Sequence, residues 1–387
     1  MKEARSANWI PLSDPDMSQA EIDAVVEVMQ SMDVTSGDAI EAFEEAFASY
    51  LGRKYAVAVA SGTVGLLLAL KAYGLGPDTE VITSPHSFRE TNHAISLSGA
   101  YPVFADIDYW SGVLLPEKAE AKLSDKTKAI VVCNNNGHPA AWTAFREVAD
   151  RNNLILIEDS TEAIGSTYKD KLVGTFGDCS IFDFSQPGPL VCGEGGIVVT
   201  DDQDVAMAIR RYRTHRLEER ASVVVGSAPS MRVGMSNLAA ALALVQLQRL
   251  ELILARRKRS EYWYYEYVKS FEGIKDPFIG PDVTEVNWFL YIVHLGTRFS
   301  RSSRDSIVED LKKEEIEAAA YSVPLHLQPH YFDLGYRKKD FLVTEKVADR
   351  AVVLPFHTHL TEDQIAFIVG TMKDASINVG AGAAIYL

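Results

Sequence analysis

The chain has 387 residues, 47% apolar and 24% charged, with a formal net charge of -15. That length exceeds what one small core fills and sets two domains as the expectation. The acidic balance argues against a nucleic-acid binder, which needs a basic surface, but does not exclude small anions held by local groups. No run is long and apolar enough to cross a bilayer, and the polar start of the chain lacks the apolar centre of an export signal. With three cysteines (Cys133, Cys179, Cys192), these features point to a cytoplasmic protein without disulfides and with no membrane partner.

In chain order, Ser18 to Glu21 and Asp38 to Glu41 read as capping boxes opening two amphipathic helices. From residue 55, short β-branched runs alternate with helical patterns, the mark of a parallel sheet covered by helices. The runs lie at 55–59, 81–83, 102–104, 129–132 and 154–157. Two more, at 180–182 and 196–200, follow closely enough to form a hairpin-like pair within the sheet. A mainly parallel seven-stranded sheet is therefore expected. A long helical stretch over 236–267 then bridges to a smaller C-terminal α/β domain, with the division set at 1–250 and 251–387.

Four stretches carry candidate chemistry. Ser61, Gly62 and Thr63 form a small-residue turn between a strand and the helix expected at 64–73, where free N–H groups and a helix dipole suit a phosphate. A strand-to-helix turn needs small residues in any case, so the two readings weigh equally. Glu158 and Asp159 end an apolar strand, where α/β proteins place ligands; taken alone, a helix cap for 160–164 is the stronger reading. The glycine-rich turn 193–196 lacks nucleotide-fingerprint spacing. The stretch 85–91 sets His86, Phe88, Arg89 and Glu90 after a strand; Phe88 is as readily core as a stacking platform, and a surface loop is the stronger reading for His86. Cys192 reads as a buried apolar thiol, and no histidine or cysteine spacing suggests a metal.

In order and spacing these stretches resemble the DegT/DnrJ/EryC1/StrS family of sugar aminotransferases. The match runs from Ile10 to Leu12 and Phe43 to Phe47, through Gly62, Phe104, Asp159, Gly174 to Asp178 and Gly193 to Gly196, to Pro324, Leu325, His326 and Pro355. The resemblance implies a fold-type-I scaffold of the pyridoxal phosphate (PLP) transferases, a homodimer with shared active sites, and a keto-sugar, cyclitol or amino-acid-like substrate. It assigns Gly62 and Thr63 to the cofactor phosphate, Phe88 to the pyridine ring face and Asp159 to the ring nitrogen, whose protonation makes the ring an electron sink.

The resemblance also implies departures. The Schiff-base lysine stands five positions before the first glycine of the 193–196 turn, and that position is Gly188. Asp183 takes the place of a phosphate-binding serine, Glu162 that of a glutamine, and Arg232 that of an asparagine reaching across the dimer. Gly188 supplies neither nucleophile nor base, so ordinary transamination loses both. A carboxylate about 4 Å from a phosphate costs about 4 kcal/mol per like-charge pair at an effective dielectric near 20, which Arg232 offsets. The expectation is an enzyme holding PLP or its amine form (PMP) non-covalently. Glu162, Asp183, His86 and Glu90 are its candidate proton carriers; Gly62, Thr63, Phe88, Asp159, Glu162, Asp183 and Arg232 are cofactor contacts, and Arg89, Gln186 and His326 substrate contacts. Two alternatives stand beside it: a cofactor-free enzyme on the same scaffold, and a catalytically silent binding or partner subunit.

Overall fold

The computed structural model describes residues 8–213, 230–269, 271 and 273–379. Helix α1 (Gln19–Gln30) opens on a capping box, Ser18 Oγ accepting from the backbone and Glu21 answering the Ser18 N–H. Helix α2 (Asp38–Leu51) corrects the second expected box. Its cap is Gly37, with no side-chain bond, and Asp38 already lies inside the first turn, where its charge meets the positive end of the helix. Gly52 closes α2 in the left-handed conformation (φ 68°) that glycine enters without strain.

The strands β1 (Tyr55–Val59), β2 (Glu80–Thr83), β3 (Tyr101–Phe104), β4 (Thr127–Cys133) and β5 (Ile155–Asp159) are followed by a short hairpin, β6 (Thr167–Tyr168) and β7 (Lys171–Leu172). After it come β8 (Cys179–Asp183) and β9 (Gly196–Thr200). Seven of these form one sheet in the order β1-β9-β8-β5-β4-β2-β3. Because β9 runs antiparallel to both β1 and β8, it is the one reversed strand, and the other six are mutually parallel. The expected pairing of the last two runs is thus present.

Both sheet faces are covered. Along β1, Val57 and Val59 join one apolar cluster with Leu66 and Leu70, while Ala56 and Ala58 join another with Phe43, Phe47 and Phe182. That alternation is the two-residue period of a strand, with helix α3 (Gly62–Ala72) on the first face and α2 on the second. The parallel strands β1, β2, β4, β5 and β8 all end at one edge, so Ser61, Pro85, Asn135, Asp159 and Asp183 arrive together there.

The stretch expected as one helix over 236–267 is two, Asn237–Gln248 and Leu250–Val268, bent by 64°. Arg249 sits at the break (φ -97°, ψ 0°), where its guanidinium bonds Asp16 Oδ1 at 2.7 Å and also the Glu21 carboxylate. Composition favours continuity here; a tertiary charge cluster breaks it. Beyond the bend, β10 (Ile274–Lys275), β12 (Tyr291–Leu295), β13 (Ala319–Ala320) and β14 (Ala351–Leu354) form an antiparallel sheet in the order β10-β12-β14-β13. The remaining strand, β11 (Val283–Glu285), pairs with β6, so it joins the β6–β7 hairpin in a separate three-stranded sheet in the order β11-β6-β7. Ile10, near the start of the chain, packs in the C-terminal core and bridges to Ile316. Of the aromatic cluster on the second helix, Tyr264 is buried and stacks on Tyr291 at 4.1 Å, whereas Tyr262 and Tyr265 face out.

Candidate functional site

At the carboxyl edge of the sheet, Gly62, Thr63, Leu66, Phe88, Thr91, Asp159, Thr161, Ile181 and Asp183 line one narrow slot. Asp159 ends β5 and is buried; its Oδ2 accepts from Thr91 Oγ1 at 2.7 Å and its Oδ1 from the Thr161 N–H at 3.1 Å. It caps no helix, since residues 160–164 form turns. Burial raises the Asp159 pKa, against the hydrogen bonds from Thr91 and Thr161 that favour its charge. Phe88 precedes helix α4 (Arg89–Ser98) with 48% of its surface exposed, so it borders the slot and is not core.

Asp183 ends β8. Its Oδ2 accepts the Gly62 N–H at 2.7 Å, and its Oδ1 accepts the Ser185 N–H at 2.8 Å and hydroxyl at 2.5 Å. The first N–H of α3, which the small-residue turn leaves available for a phosphate, is therefore already bonded to a carboxylate.

Beside Asp159 in sequence, Glu158 makes no approach to a ligand. It accepts from Asn134, Ser160, Ser180 and the backbone N–H groups of Gly174, Phe176 and Gly177, so it holds the 174–178 turn in place.

Glu162 belongs to a second polar group. Its Oε2 accepts the Asn136 N–H at 2.5 Å and lies 3.2 Å from the Tyr321 hydroxyl, which is 2.8 Å from Asn135 Oδ1. Desolvation, with the nearby Asp159 charge, pushes the Glu162 pKa up to about 7. His86 completes the group and is buried, which corrects the surface-loop reading: β2 carries it straight down into the interior. Its Nδ1 lies 3.1 Å from the Gly112 carbonyl and 3.0 Å from Asn135 Nδ2, its ring meets Tyr321 edge-on at 5.4 Å, and its Nε2 has no partner. If Nδ1 donates to Gly112, Nε2 is a bare acceptor; if Nδ1 accepts from Asn135 Nδ2, Nε2 carries the proton; either way Nε2 borders a cavity shared with Trp110, Phe278, His294 and Tyr321. Burial lowers the His86 pKa to about 4.

Other expected residues lie elsewhere. Arg89 and Glu90 pair with each other at 2.6 Å. Gln186 donates to Ser13. His326 is fully buried, 3.1 Å from Glu345 and edge-on to Phe341, and lines neither cavity. Its segment still touches the site, because the Leu325 N–H bonds the Pro85 carbonyl. Arg232 is exposed. Cys192 is buried, its thiol pushed up to about 12, in accord with the apolar reading. Tyr321, Asn135, Asn136 and Thr91 were not singled out from sequence; only Tyr321 had a signal, standing three positions before the Pro324 motif.

No lysine lines the slot among the described residues. Gly188, where the resemblance places that lysine, has φ +158°, a conformation strained for any residue with a side chain, and a Cβ there would meet Leu190 O and the Phe289 ring at 3.6 Å. The residues present therefore suit a pyridoxal-type ring at one end, through Asp159 and Phe88, while its phosphate end meets Asp183. Among the described residues no cluster of metal-binding side chains occurs and no single helix is long and apolar enough to cross a membrane.

The model of the DegT/DnrJ/EryC1/StrS aminotransferase family matches residues 15–373. The spore coat polysaccharide biosynthesis protein SpsC of Bacillus subtilis is 33% identical over 378 residues, covering 95% of this chain and 97% of that protein. GDP-perosamine synthase of Caulobacter vibrioides is 33% identical over 373 residues, covering 95% and 98%. Among solved structures, Spr1654 of Streptococcus pneumoniae in its PMP form superposes with a TM-score of 0.90 at 25% identity, over 96% of this chain and 100% of that one. Its PLP form gives the same TM-score and identity.

Proposed function

From the premise that this chain belongs to the DegT/DnrJ/EryC1/StrS aminotransferase family, we propose that it is a lysine-free member acting on a small sugar-like molecule, a keto-sugar or cyclitol, without ordinary transamination. The observation that carries this reading is the slot itself, which keeps Asp159 and Phe88 but presents no lysine among the described residues. A pyridoxal-type ring, as in PLP or PMP, supplies an electron sink when bound. Asp159 would hold the ring nitrogen and Phe88 the ring face, with no covalent link at Gly188.

The proton chemistry falls to the chain's own side chains. Glu162, with its pKa near 7, holds a proton that neutral solution can remove or restore, and Tyr321 and Asn136 fix the orientation of its carboxyl. In the tautomer whose Nδ1 donates to Gly112, His86 offers an unprotonated Nε2 to the adjoining cavity. A substrate hydroxyl or an acidic C–H next to a carbonyl is the group such a pair serves. The Asp183–Gly62 bond favours a second reading, an enzyme on this scaffold that uses no phosphate-bearing cofactor.

The working unit under this proposal is a homodimer, in which Arg232 reaches the partner's slot; a monomer by sedimentation at micromolar concentration would contradict it. Absorption spectra test the site. Added PLP or PMP should give a saturable change that gel filtration removes. A yellow chromophore that survives gel filtration would overturn the lysine-free reading.

A further inference from the structure

The phosphate end of the slot has been rebuilt by the chain itself. A helix N-terminus receives an external phosphate because its N–H groups lack partners and its dipole lacks a counter-charge. At α3 the counter-charge and two of the free N–H groups are satisfied from within. Asp183 Oδ2 takes the Gly62 N–H at 2.7 Å and Ser61 Oγ takes the Val64 N–H at 3.3 Å, before the Gly65 N–H makes the first bond of the helix itself, to the Ser61 carbonyl. Asp183 is itself held in place by the Ser185 N–H and hydroxyl. The fit leaves little room, since a Cβ built on Gly62 would stand 2.8 Å from Asp183 Cβ. Two carboxylates, Asp159 and Asp183, line the slot, and none of its described lining residues is a lysine, arginine or histidine.

The geometry points to a slot that takes the unphosphorylated form of a pyridoxal-type ring, with a free 5′-hydroxymethyl group, in preference to the 5′-phosphate ester. Asp183 is the specificity-determining residue. A hydroxymethyl group donates to the Asp183 carboxylate, a charge-assisted bond, where a phosphate dianion meets a like charge with its Gly62 donor already taken. Arg232 of a second copy, which the homodimer reading brings to the slot, would pair with Asp183 and reduce the like-charge penalty, but the Gly62 N–H stays taken by the carboxylate and is still denied to a phosphate. The inference rests on the reading that a ring is held non-covalently between Phe88 and Asp159.

Pyridoxamine and PMP differ only in the phosphate and carry no aldehyde to label surface lysines, so both can be titrated calorimetrically into the full chain. The wild type should bind pyridoxamine at least about tenfold more tightly than PMP, the discount from a full like-charge penalty reflecting a partly solvated carboxylate. Asp183→Ser should lose that preference and gain about tenfold in PMP affinity. Should Asp183→Ser fail to fold, Asp183→Asn keeps an acceptor for Gly62 while removing the charge, and should narrow the same gap. Wild-type protein that binds PMP as tightly as pyridoxamine, or more tightly, overturns the inference and leaves the non-covalent ring reading standing. If neither compound binds wild type or variants at millimolar concentration, both fail.

Discussion

The Glu162 carboxyl and the Tyr321 hydroxyl meet at 3.2 Å across 159 residues of chain. The Tyr321 oxygen is closer still to Asn135 Oδ1, at 2.8 Å, and one phenol proton cannot serve both acceptors. Tyr321 therefore supports the Glu162 charge only weakly, and desolvation with the nearby Asp159 charge outweighs the Asn136 and Tyr321 bonds to raise the Glu162 pKa to about 7.

The pair makes stability depend on pH. The Glu162 pKa is raised from 4.5 to about 7, so its contribution is complete below pH 4.5 and is lost as pH rises towards 7. The loss is about 2–3 kcal/mol if the whole shift is expressed. Urea unfolding of Glu162→Gln between pH 4.5 and 7 should lack this slope. A variant with the same pH slope as wild type would remove Glu162 from the account.

His86 acts in the opposite sense. Its pKa is lowered from 6.5 to about 4, so the unfolded chain binds the proton first and stability falls as pH drops from 6.5 to 4. His294 and His357, also lowered to about 4 by burial, add to the same limb. His86→Phe should flatten the acid limb by about 2–3 kcal/mol, a difference best read as the change in urea midpoint between pH 4 and 6.5. An unchanged limb would show that His86 is open to solvent.

Much of this was legible in the sequence, for identifiable reasons. Strand runs such as 154–157 are apolar and short, so the parallel sheet could be read from them, and Asp159 inherits its place from the strand end. The Arg249 break could not be read, because its cause is Asp16 and Glu21 more than two hundred residues away. The same holds for Glu162, whose partners Asn136 and Tyr321 come from separate loops. Asp183 was recognised as unfavourable to a phosphate, but its bond to Gly62 depends on two strand ends that only the folded sheet brings together.

Arg249 offers a stability test outside the site. Burial disfavours charge on Asp16 and Glu21, yet bonds from Arg256 and Arg249 to Asp16, and from Ser18 and Arg249 to Glu21, leave both pKa values lowered. Arg249→Met leaves the buried Glu21 without its cation, while Asp16 keeps Arg256, and should cost about 3 kcal/mol at neutral pH. The cost should shrink on acidification, as Glu21 takes up a proton. Calorimetric unfolding at pH 7 and pH 4.5 measures both; a loss below 1 kcal/mol at pH 7 would show that the bend does not depend on this cluster.

The central claim is a slot that holds its ligand without a covalent lysine link, and borohydride reduction reads it most directly. Protein incubated with one equivalent of PLP or pyridoxal, reduced and digested, should yield no peptide carrying a stoichiometric pyridoxyl group. A single lysine labelled to completion, on a peptide that borders Asp159 or Phe88 in the fold, would contradict it.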